Sequence, residues 1–380
     1  MKSFIAQIDF FNVNHQNVLS KDRILSVDVL RGFDMIWIIG VKKIFKGLDE
    51  ALNTPFTNWM FSQLDHAEWY GFTFYDIIMP LFLFLVGISM VYSTRKRLSV
   101  NPSKSVLWKH IAIRFVLLWI LGMVVQGKLL TYDIEQITFF SNTLQAIAAG
   151  YLIASIIILY LPVLYQFGAT LGLVLLYWAV FAWIPVPSFG AGLYTPDGNI
   201  AIFIDKLLLG NFQDGTTYTW ILSSLNFGAT TMLGVFTGYL LQSHKKPLEK
   251  FYCLTVSGVG LILLSHVWMI WHPMVKHLWT GSFVLFSGGI CILMLAALYF
   301  VIDVLEYRKW TTFFVVVGSN AIAAYVSASI FDYRLIAKVF VSGLEKYVGP
   351  WYPFLLALGG FTVLYLILNY LNKKKIFIKI

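Results

Sequence analysis

Ten long apolar stretches constrain this chain more than any other feature. They run over residues 26–45, 74–94, 108–127, 142–160, 164–185, 221–242, 251–271, 278–302, 311–331 and 351–371. A helix of about 18 to 20 apolar residues crosses a hydrocarbon core of roughly 30 Å. Only helices and closed barrels satisfy every backbone group there. Barrel strands alternate apolar and polar residues, and these stretches do not. The expected class is therefore all-α: a polytopic membrane helical bundle of about ten transmembrane helices. Charge agrees with this. Only 12% of residues are charged, against about a quarter in soluble domains, too few to clothe a water-facing surface of this size.

Lysine and arginine concentrate on the side of a membrane protein that stays in the cytoplasm. With the N-terminus inside, seventeen basic residues fall on the cytoplasmic side, among them Arg95, Lys96, Arg97, Lys245, Lys246, Lys250 and Lys373–Lys375, against nine outside. An even number of spans then puts both termini in the cytoplasm. The net charge of +9 flanks spans and forms no single patch, so the expected partner is a lipid bilayer and no nucleic acid. The expected layout is a cytoplasmic N-terminal segment over 1–25, a single transmembrane domain over 26–371, and a basic cytoplasmic tail over 372–380. The first twenty residues lack the continuous apolar core of a cleavable signal peptide. Cys253 and Cys291 both lie inside spans, which speaks against a disulfide framework and against thiolate metal ligation. No metal site is expected. The outer loops 46–73 and 186–220 carry aromatics, Gly and Pro and read as ordered.

Ionisable groups inside a span cost roughly 2.5–3.5 kcal/mol each on insertion scales and are functional candidates by default. The first span opens on Ser26-Val27-Asp28-Val29-Leu30-Arg31-Gly32-Phe33-Asp34. Asp28 and Arg31 are three apart and share a helix face. Two readings stand: an internal ion pair, or an arginine that meets phosphate. The densest constellation is Asp65-His66-Ala67-Glu68-Trp69-Tyr70-Gly71-Phe72-Thr73-Phe74-Tyr75-Asp76, at the outer mouth of the second span. Histidine takes and gives a proton near neutrality, and a carboxylate can orient its ring. Asp65 and Asp76 are both candidates for that partner. The aromatics here fit an interfacial belt. Asn142 and Gln145, three apart at the start of the fourth span, and Asn320 in the ninth are amides of the kind that often join helices.

These residues carry a family likeness. The run Ser26 to Phe33, then His66-Ala67-Glu68-Trp69-Tyr70-Gly71, then Asp76-Ile77-Ile78-Met79-Pro80 with Gly87 and Ser89, resembles the heparan-α-glucosaminide N-acetyltransferase family, within a wider group of transmembrane acyltransferases. Ser141-Asn142-Thr143-Leu144-Gln145, Leu233-Gly234-Val235-Phe236-Thr237-Gly238 and Gly318-Ser319-Asn320 continue the likeness in order. The resemblance implies a bacterial acetyltransferase of the cell inner membrane, multi-pass and homodimeric. Its donor would be cytoplasmic acetyl-CoA, and its acceptor a sugar amine or hydroxyl on the periplasmic side. It places His66 at the catalytic histidine, with Asp76 orienting it. Arg31, Arg95, Lys96 and Arg97 become candidates for CoA phosphates, and Asn142, Gln145 and Asn320 for the thioester oxygen. Two positions depart from the pattern: the family's helper asparagine falls near Lys42, and Ala146 stands where an arginine commonly follows the Leu-Gln pair. The rival readings are a secondary transporter or flippase for a sugar or glycan, which would favour inverted repeats and broken helices, and a scaffold with no ligand.

Overall fold

A computed structural model of the chain describes residues 24–100, 103–127, 129 and 133–378. Most of the expected N-terminal segment, together with Lys128 and Lys379 of the charge count, lies outside the described residues. Among the described residues the secondary structure is helical, with two isolated bridges and no strand. Each of the ten apolar stretches is helical. Seven helical segments are long and apolar enough to cross a membrane, or eight if a bent pair counts as one span. The first and sixth stretches are helical but carry too many polar residues to be among these. The chain is an all-α polytopic membrane bundle.

The chain divides into two compact units. The first holds residues 68–71 and 79–300. Its long helices are α4 (Ile78–Val100, whose first residue belongs to the second unit), α5 (Lys104–Val125), α6 (Thr143–Tyr160) and α7 (Val163–Trp183). After the short α8 (Ile200–Leu209) come α9 (Ser224–Gln242), α10 (Pro247–Trp268) and α11 (Gly281–Tyr299). Helix α4 is central: Leu81, Leu83, Phe84 and Ile88 are all fully buried. It crosses α9 with almost no space between backbones. A Cβ on Gly87 would lie 1.9 Å from the Thr231 carbonyl oxygen, and one on Gly234 would lie 1.9 Å from that of Phe84. Small residues at a crossing let backbones approach where lipid supplies no hydrophobic drive. By contrast, α7 and α10 are exposed along most of their length, with Leu164, Leu171, Val256 and Leu263 all more than half exposed. Such faces suit lipid. A cap of loops closes one end, where Tyr177, Phe181, Ile200, Val275 and Leu278 form a buried cluster.

The second unit holds residues 24–67, 72–78 and 301–380. Its first helix, α1 (Leu25–Ile36), continues through a π-helical turn at Trp37–Val41 into α2 (Lys42–Leu52). A capped helix follows, α3 (Pro55–Ser62), with the Thr54 hydroxyl accepting from the Thr57 backbone N–H at 3.2 Å. Then come α12 (Thr312–Ser319), α13 (Ala321–Ile330), α14 (Tyr333–Val341), α15 (Glu345–Val348) and α16 (Tyr352–Lys373). Gly32 brings α1 against the α12 backbone, 1.9 Å from the Phe314 carbonyl oxygen to a notional Cβ. Helices α12 and α13 bend by 72° at Asn320. The Asn320 side chain at the bend donates to the Ile376 carbonyl at 3.1 Å and accepts from the Ile378 N–H at 2.8 Å.

Candidate active site

His66 and Asp76 meet within the second unit. Helix α3 ends at Ser62, and the chain returns to a 3-10 turn at Phe74–Ile77. The Tyr75 N–H donates to the Gln63 carbonyl at 3.0 Å, and the Thr73 hydroxyl reaches the Asp65 carbonyl at 2.5 Å. Those two bonds draw residues 63–65 onto 73–76. The His66 Nδ1 then lies 2.8 Å from Asp76 Oδ1. The Asp76 side chain is fully buried, whereas His66 is 37% exposed. A buried carboxylate is costly unless it is hydrogen-bonded. Here Oδ2 accepts from the Thr73 N–H at 3.0 Å and the Ala67 N–H at 3.3 Å, and shares the single Thr73 hydroxyl hydrogen, 3.1 Å away, with the Asp65 carbonyl. The geometry places His66 Nδ1 to donate to Oδ1, the tautomer in which the ring's Nε2 keeps the lone pair that a proton acceptor needs.

Asp65, the other candidate partner, takes a different task. Its Oδ1 accepts from the His66 backbone N–H at 3.0 Å and from Lys42 Nζ at 3.1 Å. The Lys42 ammonium beside it holds its carboxyl below the usual range. The same ammonium sits 5.0 Å from the centre of the Tyr75 ring, and the His66 ring lies 5.1 Å from it on centroids. Tyr75 thus has Lys42 and His66 as ring neighbours. The sequence singled out Lys42 only as a departure from a family position. Its pairing with Asp65 has no short-range signature, since the two are 23 residues apart.

A buried histidine elsewhere shows what a structural one looks like. His272, in the loop cap of the first unit, accepts from the Gly281 N–H at Nε2, 2.8 Å away, and meets the Tyr194 hydroxyl at Nδ1, 2.7 Å away. Both nitrogens are spent, and burial pushes its pKa down to about 3. It stays neutral at any ordinary pH and is no base near neutrality. Asp205 in the same cap accepts from the Trp220 and Ile221 N–H groups at 2.7 and 3.0 Å. Burial raises it to about 6. The two groups have opposite linkage. His272 loses stability as pH falls below 6.5, because the unfolded ring takes a proton that the folded one refuses. Asp205 recovers stability as pH falls from about 6 to 3.8. Each contributes about 1.4 kcal/mol per pH unit in its window. Asp205→Asn is therefore expected to lose more melting temperature between pH 6.5 and 4.5 than the wild type does, measured by thermal unfolding.

The other candidates divide between the units. Arg31 pairs with Asp28 at 3.1 Å in α1. Asn320 is buried at the α12–α13 bend and holds the C-terminal backbone. In the first unit Asn142 caps α6, its Oδ1 accepting from the Leu144 N–H at 2.7 Å. Gln145, fully buried, accepts from the Ser141 N–H at 2.9 Å and donates to the Phe139 carbonyl at 2.7 Å. Arg95 reaches the Gln242 side chain at 3.4 Å. Lys96 and Arg97 line a cavity of about 450 Å3 with Ser93, Leu107 and His110. Sequence reading named Lys96 and Arg97 and passed over His110. That residue lies on α5 three residues after Leu107, on the same helix face, and only the α4–α5 packing brings it into the cavity wall. Among the described residues no group of three or more His, Cys, Asp or Glu gathers as metal ligands would.

A family model described as heparan-alpha-glucosaminide N-acetyltransferase, catalytic, matches residues 23–250, more than half of the chain. The chain belongs to this family. The match takes in His66, Asp76, the α4–α5 cations and the α6 amides. Among curated proteins, the heparan-alpha-glucosaminide N-acetyltransferase of Homo sapiens is 24% identical over 376 residues, covering 82% of this chain and 53% of that protein. That of Mus musculus is 23% identical over 374 residues, covering 82% and 54%. The chain spans about half the length of the curated relatives it matches.

Proposed function

We propose that the chain is a transmembrane acetyltransferase, moving an acetyl group from acetyl-CoA to the amine or hydroxyl of a saccharide. The observation that carries this reading is the 2.8 Å pair of His66 Nδ1 and the fully buried Asp76. A half-exposed imidazole, fixed in one tautomer by a buried carboxylate, is the arrangement that general-base acyl transfer needs. Family membership supports the reaction class. In this reading 26–371 works as one acyltransferase domain of the inner membrane. The donor arrives from the cytoplasm, and the acceptor is met on the periplasmic side.

The acceptor nitrogen or oxygen attacks the thioester carbonyl carbon, forming the C–N or C–O bond. The His66 Nε2 takes the proton that the acceptor gives up, and Asp76 stabilises the resulting imidazolium. Collapse breaks the C–S bond, and the CoA thiolate leaves to be protonated by the imidazolium. Proton and charge return to their starting positions. Lys42 and Asp65 keep the His66 loop in register through the shared Asp65 oxygen. Asn142 and Gln145 hold backbone at the start of α6, and Asn320 holds backbone of the C-terminal segment, through their amide bonds. Lys96, Arg97 and His110 suit the phosphates of CoA, with Arg95 on the same helix end and Arg31 as a further cation.

Charge-assisted hydrogen bonds are worth about 1.5–3 kcal/mol, discounted where cations are exposed. Lys96→Ala with Arg97→Ala is expected to raise the KM for acetyl-CoA about tenfold, with kcat within about twofold. An unchanged KM would remove these residues from the donor site. The direct test of the function is labelled acetyl transfer by purified protein to a panel of hexosamines, with CoA-dependent thermal stabilisation as its companion. The transporter reading gains one feature, the broken helix at Asn320, since transporters build sites at such breaks. The Asn320 side chain at that break is already engaged by backbone at Ile376 and Ile378. Stabilisation by CoA separates the two readings, because a sugar transporter has no use for CoA.

A further inference from the structure

The first unit contains a second cavity unrelated to acyl transfer. It is a cleft of about 830 Å3 among α7, α9, α10 and α11, walled almost entirely by aliphatic and aromatic side chains. The geometry points to a binding site for one anionic glycerophospholipid, its acyl chain in the cleft and its phosphate on the lysines of the α9–α10 turn.

Three observations carry this. The first is position along the helix. On α10 the cleft is lined by Leu254, Ser257, Leu261, Leu264 and Trp268, a stripe at three- and four-residue spacing. Lys250 continues the stripe one turn beyond Leu254. From Lys250 to Trp268 the rise is about 27 Å at 1.5 Å per residue, close to the roughly 30 Å of a hydrocarbon core. The cleft therefore runs from a basic end to an aromatic end, the two kinds of residue that mark membrane interfaces.

The second observation is charge. The turn between α9 and α10 holds Lys245, Lys246 and Lys250 against a single carboxylate, Glu249. That carboxylate is engaged as a helix cap, accepting from the Lys246 backbone N–H at 3.2 Å. Lys250 folds back onto the end of α9, its Nζ donating to the Leu241 carbonyl at 2.6 Å. One ammonium is thus tied down at the mouth of the cleft, and two more stand exposed beside it. Basic pockets between transmembrane helices are where anionic headgroups bind.

The third observation is that three of the cleft's hydroxyls are already satisfied within the protein. The Tyr239 hydroxyl is satisfied by Gln166 at 3.1 Å, the Thr170 hydroxyl by the Gln166 carbonyl at 2.8 Å and the Thr237 hydroxyl by the Leu233 carbonyl at 2.9 Å. A sugar or nucleotide would find little to bond there, whereas an acyl chain needs nothing but apolar wall. The phosphate takes its bonds from the lysines outside.

The test uses the purified full-length protein in detergent, titrated with phosphatidylglycerol or phosphatidylcholine of equal chain length. Bound lipid is counted by native mass spectrometry, and thermal stability is followed in parallel. One phosphatidylglycerol is expected to bind with at least about tenfold preference, as three lysines near an anionic headgroup imply. Lys245→Gln, Lys246→Gln and Lys250→Gln together should bring that preference below about threefold. Leu261→Trp, which fills the cleft and leaves the lysines in place, should weaken the same lipid, while inorganic phosphate alone should give no stabilisation. Equal binding of the two lipids overturns the proposal. So does phosphatidylglycerol binding that survives both sets of changes, or a dimer that buries this cleft against a second copy. Should Leu261→Trp fail to fold, the lysine variant alone decides, since two of its three side chains are at the surface.

Discussion

His66→Ala is expected to lower acetyl transfer by about 10²- to 10⁴-fold, the usual contribution of a positioned general base, and to lower the melting temperature as well. The two effects have separate physical causes. Loss of the imidazole removes the group that takes the acceptor's proton. It also takes a donor from Oδ1 of the fully buried Asp76, and a buried polar group that loses its partner costs about 1–3 kcal/mol. Asp76→Asn should lose both for its own reasons. The amide cannot offset an imidazolium, so transfer falls. An asparagine has one acceptor oxygen where Asp76 uses two, so at least one buried donor is stranded, again at about 1–3 kcal/mol. Transfer by His66→Ala at more than a tenth of the wild-type rate would end the assignment. Acid-quenched single turnovers with labelled acetyl-CoA would show whether label ever resides on the protein, which separates direct transfer from an acetyl-histidine.

Much of this was legible in the sequence because the bilayer simplifies the problem. Apolar runs of twenty residues have one good structure in hydrocarbon, so each of the ten stretches is helical, the ninth as two helices bent at Asn320. The strength of the signal then depended on polarity. The Leu25–Leu52 helix carries Asp28, Arg31, Asp34, Lys42, Lys43, Lys46, Asp49 and Glu50, and length with apolarity does not alone qualify it as a span. The short helices α3 and α8 went unseen inside loops that read only as ordered. Helices of eight and ten residues are marginal by themselves and exist here through tertiary support, which has no local pattern.

The site was legible as a list of residue types and not as a set of pairs. His66 stood out, but the choice between Asp65 and Asp76 depended on how the chain turns at Thr73. The Thr73 N–H and hydroxyl both reach Asp76, and that contact aims the carboxylate at the ring. Asp65 is the residue next to His66, and its own geometry sends it to the His66 backbone and to Lys42. The bend at Asn320 was hidden for a related reason. Its partners, Ile376 and Ile378, are more than fifty residues away, so an amide that looked like helix glue turns out to tie down the C-terminal segment. Both carboxylate oxygens of Asp34 are buried without a hydrogen-bond partner among the described residues.

The largest structural effect is expected at a residue with no side chain. Gly87→Ala places a Cβ 1.9 Å from the Thr231 carbonyl oxygen, far inside van der Waals contact. The obstacle is backbone, so no rotamer change relieves it. Helices α4 and α9 must move apart, and Leu81, Phe84, Phe227 and Met232, all buried in that neighbourhood, must give up packing with them. Overpacking in a core typically costs about 1–3 kcal/mol, and a clash on an unyielding carbonyl belongs at or beyond the upper end. Gly234→Ala meets the Phe84 carbonyl oxygen at the same distance from the other helix and should be equally severe. A like substitution elsewhere supplies the contrast. Gly172 in α7 has nothing within 4 Å of a notional Cβ. There alanine should be neutral or stabilising by up to about 1 kcal/mol, since it removes glycine's backbone entropy from a helix. Thermal unfolding of the three variants in one detergent reads the difference directly. If Gly87→Ala melts within a degree of Gly172→Ala, the α4–α9 crossing is not the close backbone contact described, and the packing of the first unit's core would have to be redrawn around a wider separation.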